Sequence, residues 1–154
     1  MNREEQHGHE RIMDEPAVRE AVARFLSAKR RGDSWHMVGY KEGRRHGPDL
    51  VFTRHGHEFI VEAKGDPGKL NKNPDSGREV AFTQALGEIV TRMDRLQASQ
   101  YGVAFPASFR EKVLRRIPWK AAKTLRLSVF LVKTDGEVKQ YTPRDLRGYQ
   151  SGLQ

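Results

Sequence analysis

Residues Arg44–Asp66 read RRHGPDLVFTRHGHEFIVEAKGD. Two apolar runs, DLVFTR and HEFIVEAK, flank His55-Gly56. That dipeptide is suited to a tight turn, so the stretch predicts two antiparallel strands joined as a hairpin. Its charges stand where a core strand does not want them: Asp49 opens the first run, while Glu62 and Lys64 close the second. Twelve residues separate the two acids, and folding the hairpin brings its far ends together. Lys64 lies two residues past Glu62 and shares its face, which is also the face of Ile60. A turn acid and a surface ion pair would explain the charges singly. One face carrying both core and charge fits a site better. Two carboxylates with coordination positions left open suit a hard divalent cation, and they keep Lys64 protonated until the cation arrives.

Outward from the hairpin, Met1–Met13 is a polar lead-in and residues 14–154 form one domain. Asp14 and Pro16 start a helix near Glu15, with Val18, Val22, Phe25 and Leu26 at helical spacing and Gly32 as its stop. WHMVGY (Trp35–Tyr40) predicts a strand and KEGRRHGP a basic loop. GDPGKLNKNPDSG predicts a loop. A long helix follows from Arg78, read on Val80, Leu86, Ile89, Val90 and Met93. YGVAF predicts a short strand, ASFREKVLRRI and PWKAAKTL helices, RLSVFLVK and EVKQYT a second hairpin around Asp135-Gly136, and PRDLRGY a turn or short helix. The order predicts an α/β fold with a mixed central sheet flanked by helices on both faces.

The 154 residues suit one domain with a proper core. Apolar content is 36% and charged content 31%, and no stretch approaches a membrane span. The charged N-terminus lacks an apolar signal-peptide segment, and the absence of cysteine excludes disulfides and thiolate metal sites. A reducing cytoplasm fits. A net charge of +8 favours a polyanionic partner, nucleic acid being the commonest.

Pro48-Asp49 followed by Glu62-Ala63-Lys64 resembles the PD-(D/E)XK signature of restriction endonucleases, Holliday junction resolvases and many repair nucleases. An acid-bearing helix precedes it and a glutamine-bearing helix follows. The tail FLVKTDGEVKQYTPRDL is similar to the closing hairpin of archaeal-type resolvases. The likeness covers most of Asp14–Gly148 in element order, with identity concentrated in a few positions. It implies a restriction-endonuclease-like core and an endonuclease using Mg²⁺ or Mn²⁺. Asp49 and Glu62 would be metal ligands, with the Ala63 carbonyl a further one. Lys64 would orient or help deprotonate the attacking water, and the product would carry a 5′-phosphate. The family most often cuts DNA, and RNA stays open as a substrate. So does a nuclease fold that binds nucleic acid without cutting it. Cutting two strands with one site per chain favours a homodimer.

Other positions follow. At about 100° per residue, Glu15 falls in the arc of Val18, Val22 and Leu26 and Glu20 points nearly opposite, so Glu15 is the preferred extra acid. Glu42 is a rival. Gln84 matches a glutamine that several family branches carry for positioning phosphate or water. Lys41, Arg44, Arg45 and His46, in the loop abutting Asp49, are expected to hold phosphates. The basic run Arg110, Lys112, Arg115, Arg116, Lys120, Lys123 and Arg126 could be a second basic surface or a solvated helix face. Pro74-Asp75 has no partner ExK. His7, His9, His55 and His57 lack a third ligand, so no zinc site is expected. No phosphate loop for a nucleotide cofactor appears.

Overall fold

A computed structural model describes residues 12–28, 34–40, 47–68, 73–95 and 99–152. Helix α1 (Glu15–Ser27) starts where the Asp14 side chain accepts from the Ala17 amide, with proline in the first turn. Strand β1 (His36–Tyr40) leads to β2 (Leu50–Arg54) and β3 (His57–Ala63). Their turn holds His55 and Gly56 at φ of 50° and 77°, the left-handed pair a tight hairpin needs. Helix α2 (Pro74–Thr91) and a 3-10 turn (Met93–Arg95) lead to β4 (Ser99–Pro106). A second 3-10 turn (Ala107–Phe109) then opens α3 (Arg110–Arg116), followed by α4 (Trp119–Leu125), β5 (Leu127–Val132), β6 (Val138–Tyr141) and α5 (Pro143–Ser151).

The six strands lie in chain order, β1-β2-β3-β4-β5-β6. Pairing is antiparallel at β1–β2, β2–β3 and β5–β6, and parallel at β3–β4 and β4–β5. The sheet is therefore mixed, as the element order predicts. Strand parity divides the core. Phe59, Val61 and Ala63 of β3 face α1, along with Leu50, Phe52, Ala104 and Phe130. Ile60 faces α2 with Phe82, Ala85, Ile89, Tyr101, Val103 and Phe105, and α3, α4 and α5 cover the rest of that face. Rings interlock on the α1 side, with Phe59 5.3 Å from Trp35 and 5.7 Å from Phe130.

Three boundaries differ from the expected ones. Helix α1 closes at Ser27 rather than at Gly32, because Trp35 turns back to donate its N–H to the Leu26 carbonyl at 2.8 Å; residues 29–33 lie outside the described set. Helix α2 begins at Pro74, inside the segment read as loop. Asn73 caps the Ser76 amide, Pro74 fits the first turn and Asp75 complements the dipole, so loop-like residues serve as a helix start. The buried face of α2 is Phe82, Ala85 and Ile89, while Val80 and Val90 are 52% and 55% exposed. In addition, β4 runs eight residues and is central, and α5 is a full helix closed by a Thr142–Asp145 capping box. Among the described residues no helix is long and apolar enough to cross a membrane.

Candidate functional site

The β2–β3 register pairs Leu50 with Val61 and Val51 with Ile60. Continued by one residue, it sets Asp49 across from Glu62, and parity turns both toward α2. Each is only 2% exposed. Asp49 is fixed from the neighbouring strand, since the Ala63 N–H donates to its Oδ2 at 2.8 Å. Two buried acids side by side are costly. Glu62 is pushed up from its ordinary 4.5 to about 8, first by burial, then by the charge and hydrogen bond of Asp49. The hydrogen bond from Arg92 works the other way, and the charge of Glu88 adds to the rise.

Lys64 leaves the end of β3, where its N–H donates to the Ala104 carbonyl at 3.0 Å. Its ammonium donates to Glu88 Oε1 at 3.0 Å. Arg92 Nε donates to Glu62 Oε1 at 3.3 Å. Glu88 and Arg92 were absent from the sequence reading, yet both touch residues named in it. A signal for them was present: Gln84, Glu88 and Arg92 recur every four residues, one stripe of α2. At about 100° per residue the stripe winds from the outer side toward the sheet. Gln84 stands at its outer end and is exposed; Arg92 stands over Glu62.

Helix α1 packs on the opposite face, so Glu15 can approach only around the sheet's end. Its backbone does abut that end, since a Cβ built at Gly65 would lie 2.6 Å from the Asp14 carbonyl carbon and closer still to the Glu15 nitrogen. Asp66 holds the corner. Its Oδ2 accepts from the Met13 N–H at 3.1 Å and its Oδ1 from the Ser108 hydroxyl at 2.7 Å. The Glu15 side chain is 36% exposed and 3.6 Å from Arg19, while Glu20 is 68% exposed and 3.7 Å from Arg24. Among the described residues, however, no three His, Asp or Glu side chains gather as a metal-holding set. The expected third acid is thus not brought to Asp49 and Glu62 by Glu15 or Glu20. Glu42, Lys41, Arg44, Arg45 and His46 lie outside the described residues.

The geometry fits one hard cation held by two carboxylates. When both carboxylates are charged, their mutual repulsion is what a divalent ion would relieve. A carboxyl whose folded pKa is raised stabilises the fold below its unfolded value and loses that contribution as pH climbs through the folded one. In chelator, the melting temperature should therefore fall between pH 5 and 8, and Mg²⁺ should restore more at pH 8 than at pH 6. Melting curves across that range test it: Glu62→Gln should flatten the slope, and a wild-type profile already flat would refute the account.

No protein-family model matches the chain, and no curated protein matches it. Among solved structures it is similar to an XisH family protein from Nostoc punctiforme PCC 73102, at 13% identity and a TM-score of 0.48, covering 80% of this chain and 97% of that one. It is also similar to a fdxN element excision controlling factor protein from Anabaena variabilis, at 15% identity and a TM-score of 0.49, covering 81% of this chain and 97% of that one.

Proposed function

We propose that the chain is a metal-dependent endonuclease of the PD-(D/E)XK plan, on a restriction-endonuclease-like core, hydrolysing phosphodiester bonds of DNA. The observation that carries this reading is the buried pair Asp49–Glu62 with Lys64 on the same face. Asp49 and Glu62 would hold Mg²⁺ or Mn²⁺, joined by the Ala63 carbonyl. The ion, when bound, supplies a water of lowered pKa and neutralises charge on the scissile phosphate.

The chain's own residues do the rest. The Ala63 N–H fixes the Asp49 carboxylate, so only its second oxygen need turn toward the ion. Glu88 anchors the Lys64 ammonium, whose remaining protons can point at a water or a phosphate oxygen. Arg92 tempers the charge on Glu62. Gln84, next along the stripe and exposed, would meet the nucleic acid from outside. A homodimer would present two such sites to two strands, and the edge strand β1, with Met37 and Val38 exposed, is a candidate for its contact. A cysteine-free nuclease of this kind would act in the cytoplasm.

Incubation with linear duplex, branched DNA and structured RNA, each with Mg²⁺ and with Mn²⁺, tests the reading. Cleavage by wild type but not by Lys64→Ala is expected. No cleavage of any substrate would overturn it, and preference for RNA would move it to RNA processing. A second reading, a nuclease fold that binds without cutting, is favoured by the existing Lys64–Glu88 and Arg92–Glu62 pairs. It expects equal binding with chelator and with Mg²⁺, unaffected by Asp49→Ala.

A further inference from the structure

The basic residues from Arg110 onward are held in two different ways. Lys112 and Arg116 both converge on Glu79, with Lys112 also 3.3 Å from Asp75, and Arg115 is 3.3 Å from Glu111. Those charges are spent on carboxylates. Arg110, Lys120, Lys139 and Arg147 are exposed and held differently. Arg110 lies 5.2 Å from the Tyr149 ring, Arg147 4.9 Å and Lys120 5.8 Å from Trp119, and Lys139 5.0 Å from Tyr141. A ring positions a cation while leaving its charge and most of its donors available.

These four residues come from α3, α4, α5 and β6, and α5 packs against each of the other three elements. Gln150 of α5 accepts from the Trp119 N–H at 3.2 Å and donates to the Leu114 and Ile117 carbonyls at 3.0 and 2.6 Å. The acids nearest in sequence are engaged, Asp145 in the capping box with Thr142 and Glu111 with Arg115. The platform also connects to the candidate site. Asp66, two residues past Lys64, holds Ser108, two residues before Arg110.

We infer that this aromatic-seated basic platform is a binding surface for the phosphate backbone of duplex DNA, extending from the Asp49–Glu62 site across α3, α4 and α5. A row of charged, preoriented cations without carboxylate partners among the described residues complements a polyanion and reads no sequence. The inference takes from the proposed function only its class of partner, not its chemistry.

The test measures binding in chelator, so cleavage plays no part. A fluorescently labelled duplex of about 20 base pairs is titrated with full-length protein over a salt series by anisotropy. Three proteins are compared: wild type, the triple variant R110A/K120A/R147A, and R24A/R115A/K133A. The last removes the same charge from positions already ion-paired. The platform variant should bind roughly 10- to 100-fold more weakly, with a salt slope shallower by about 2 to 3. The control should stay near wild type. Equal weakening in both variants, an unchanged platform variant, or no binding by wild type would each overturn the inference. If the platform variant melts early, Lys120→Gln and Arg147→Gln singly, each lowering the slope by about one, carry the test. A wild type that binds through this face yet never cuts with Mg²⁺ overturns the nuclease reading alone. One that cuts, and whose platform variant binds normally, overturns this inference alone.

Discussion

Asp49→Asn should lower cleavage by about 10²-fold or more while raising the melting temperature of the metal-free protein at pH 8. The two effects share one cause. The asparagine carbonyl can still accept from the Ala63 N–H, so the strand contact at 2.8 Å survives. What disappears is one of two buried like charges, the second-ranked reason that Glu62 stands near 8. A site that holds a cation by concentrating repulsion is less stable when empty, and neutralising half of it relaxes the fold. Cleavage kinetics with Mg²⁺ and melting curves in chelator check both halves. A variant as active as wild type removes Asp49 from the chemistry. One that is inactive and also less stable makes Asp49 a structural acid.

Gly65→Ala should destabilise the fold by about 3 kcal/mol or more, the upper end for overpacking, and lower the melting temperature by on the order of 10 °C. The obstruction is main chain, the Asp14 carbonyl carbon and the Glu15 nitrogen, and neither can rotate away as a side chain could. Relief requires the start of α1 to move off the end of β3. That would strain the Asp66 contacts to Met13 and Ser108. Gly68→Ala, three residues on, meets nothing within 4 Å and is the control, expected to be near neutral. Denaturant melts of the two variants decide it. Similar stability in both would mean that α1 does not press on β3 as described.

The carboxylate pair was readable in the sequence because it depends on short-range rules: a two-residue turn, alternation along β3, and a register fixed by both. The partners of the pair were not. Glu88 and Arg92 reach Glu62 and Lys64 only because Phe82, Ala85 and Ile89 settle α2 over Ile60, a tertiary fact. The valines at 80 and 90 argued for the wrong face of that helix, since apolar residues on a flank look like core until the sheet selects a side. Asn73-Pro74-Asp75 looked like loop by composition, although the same three residues spell a helix cap. The basic run was visible as charge. Which of its members are neutralised depends on Glu79, 33 residues from Lys112 and 37 from Arg116 in sequence.

Strand order that follows chain order has a bearing on how the protein is made. No segment has to be threaded between two that have already joined, so a chain leaving the ribosome can add each strand to an open border. Asp49 and Glu62 both belong to the β2–β3 hairpin, which is synthesised before α2. Closing that hairpin is a brief, local event. The burial that makes the pair costly comes only later, when α2 covers it. The two acids are thus brought together cheaply in water and their tension is imposed last, by a helix synthesised after them.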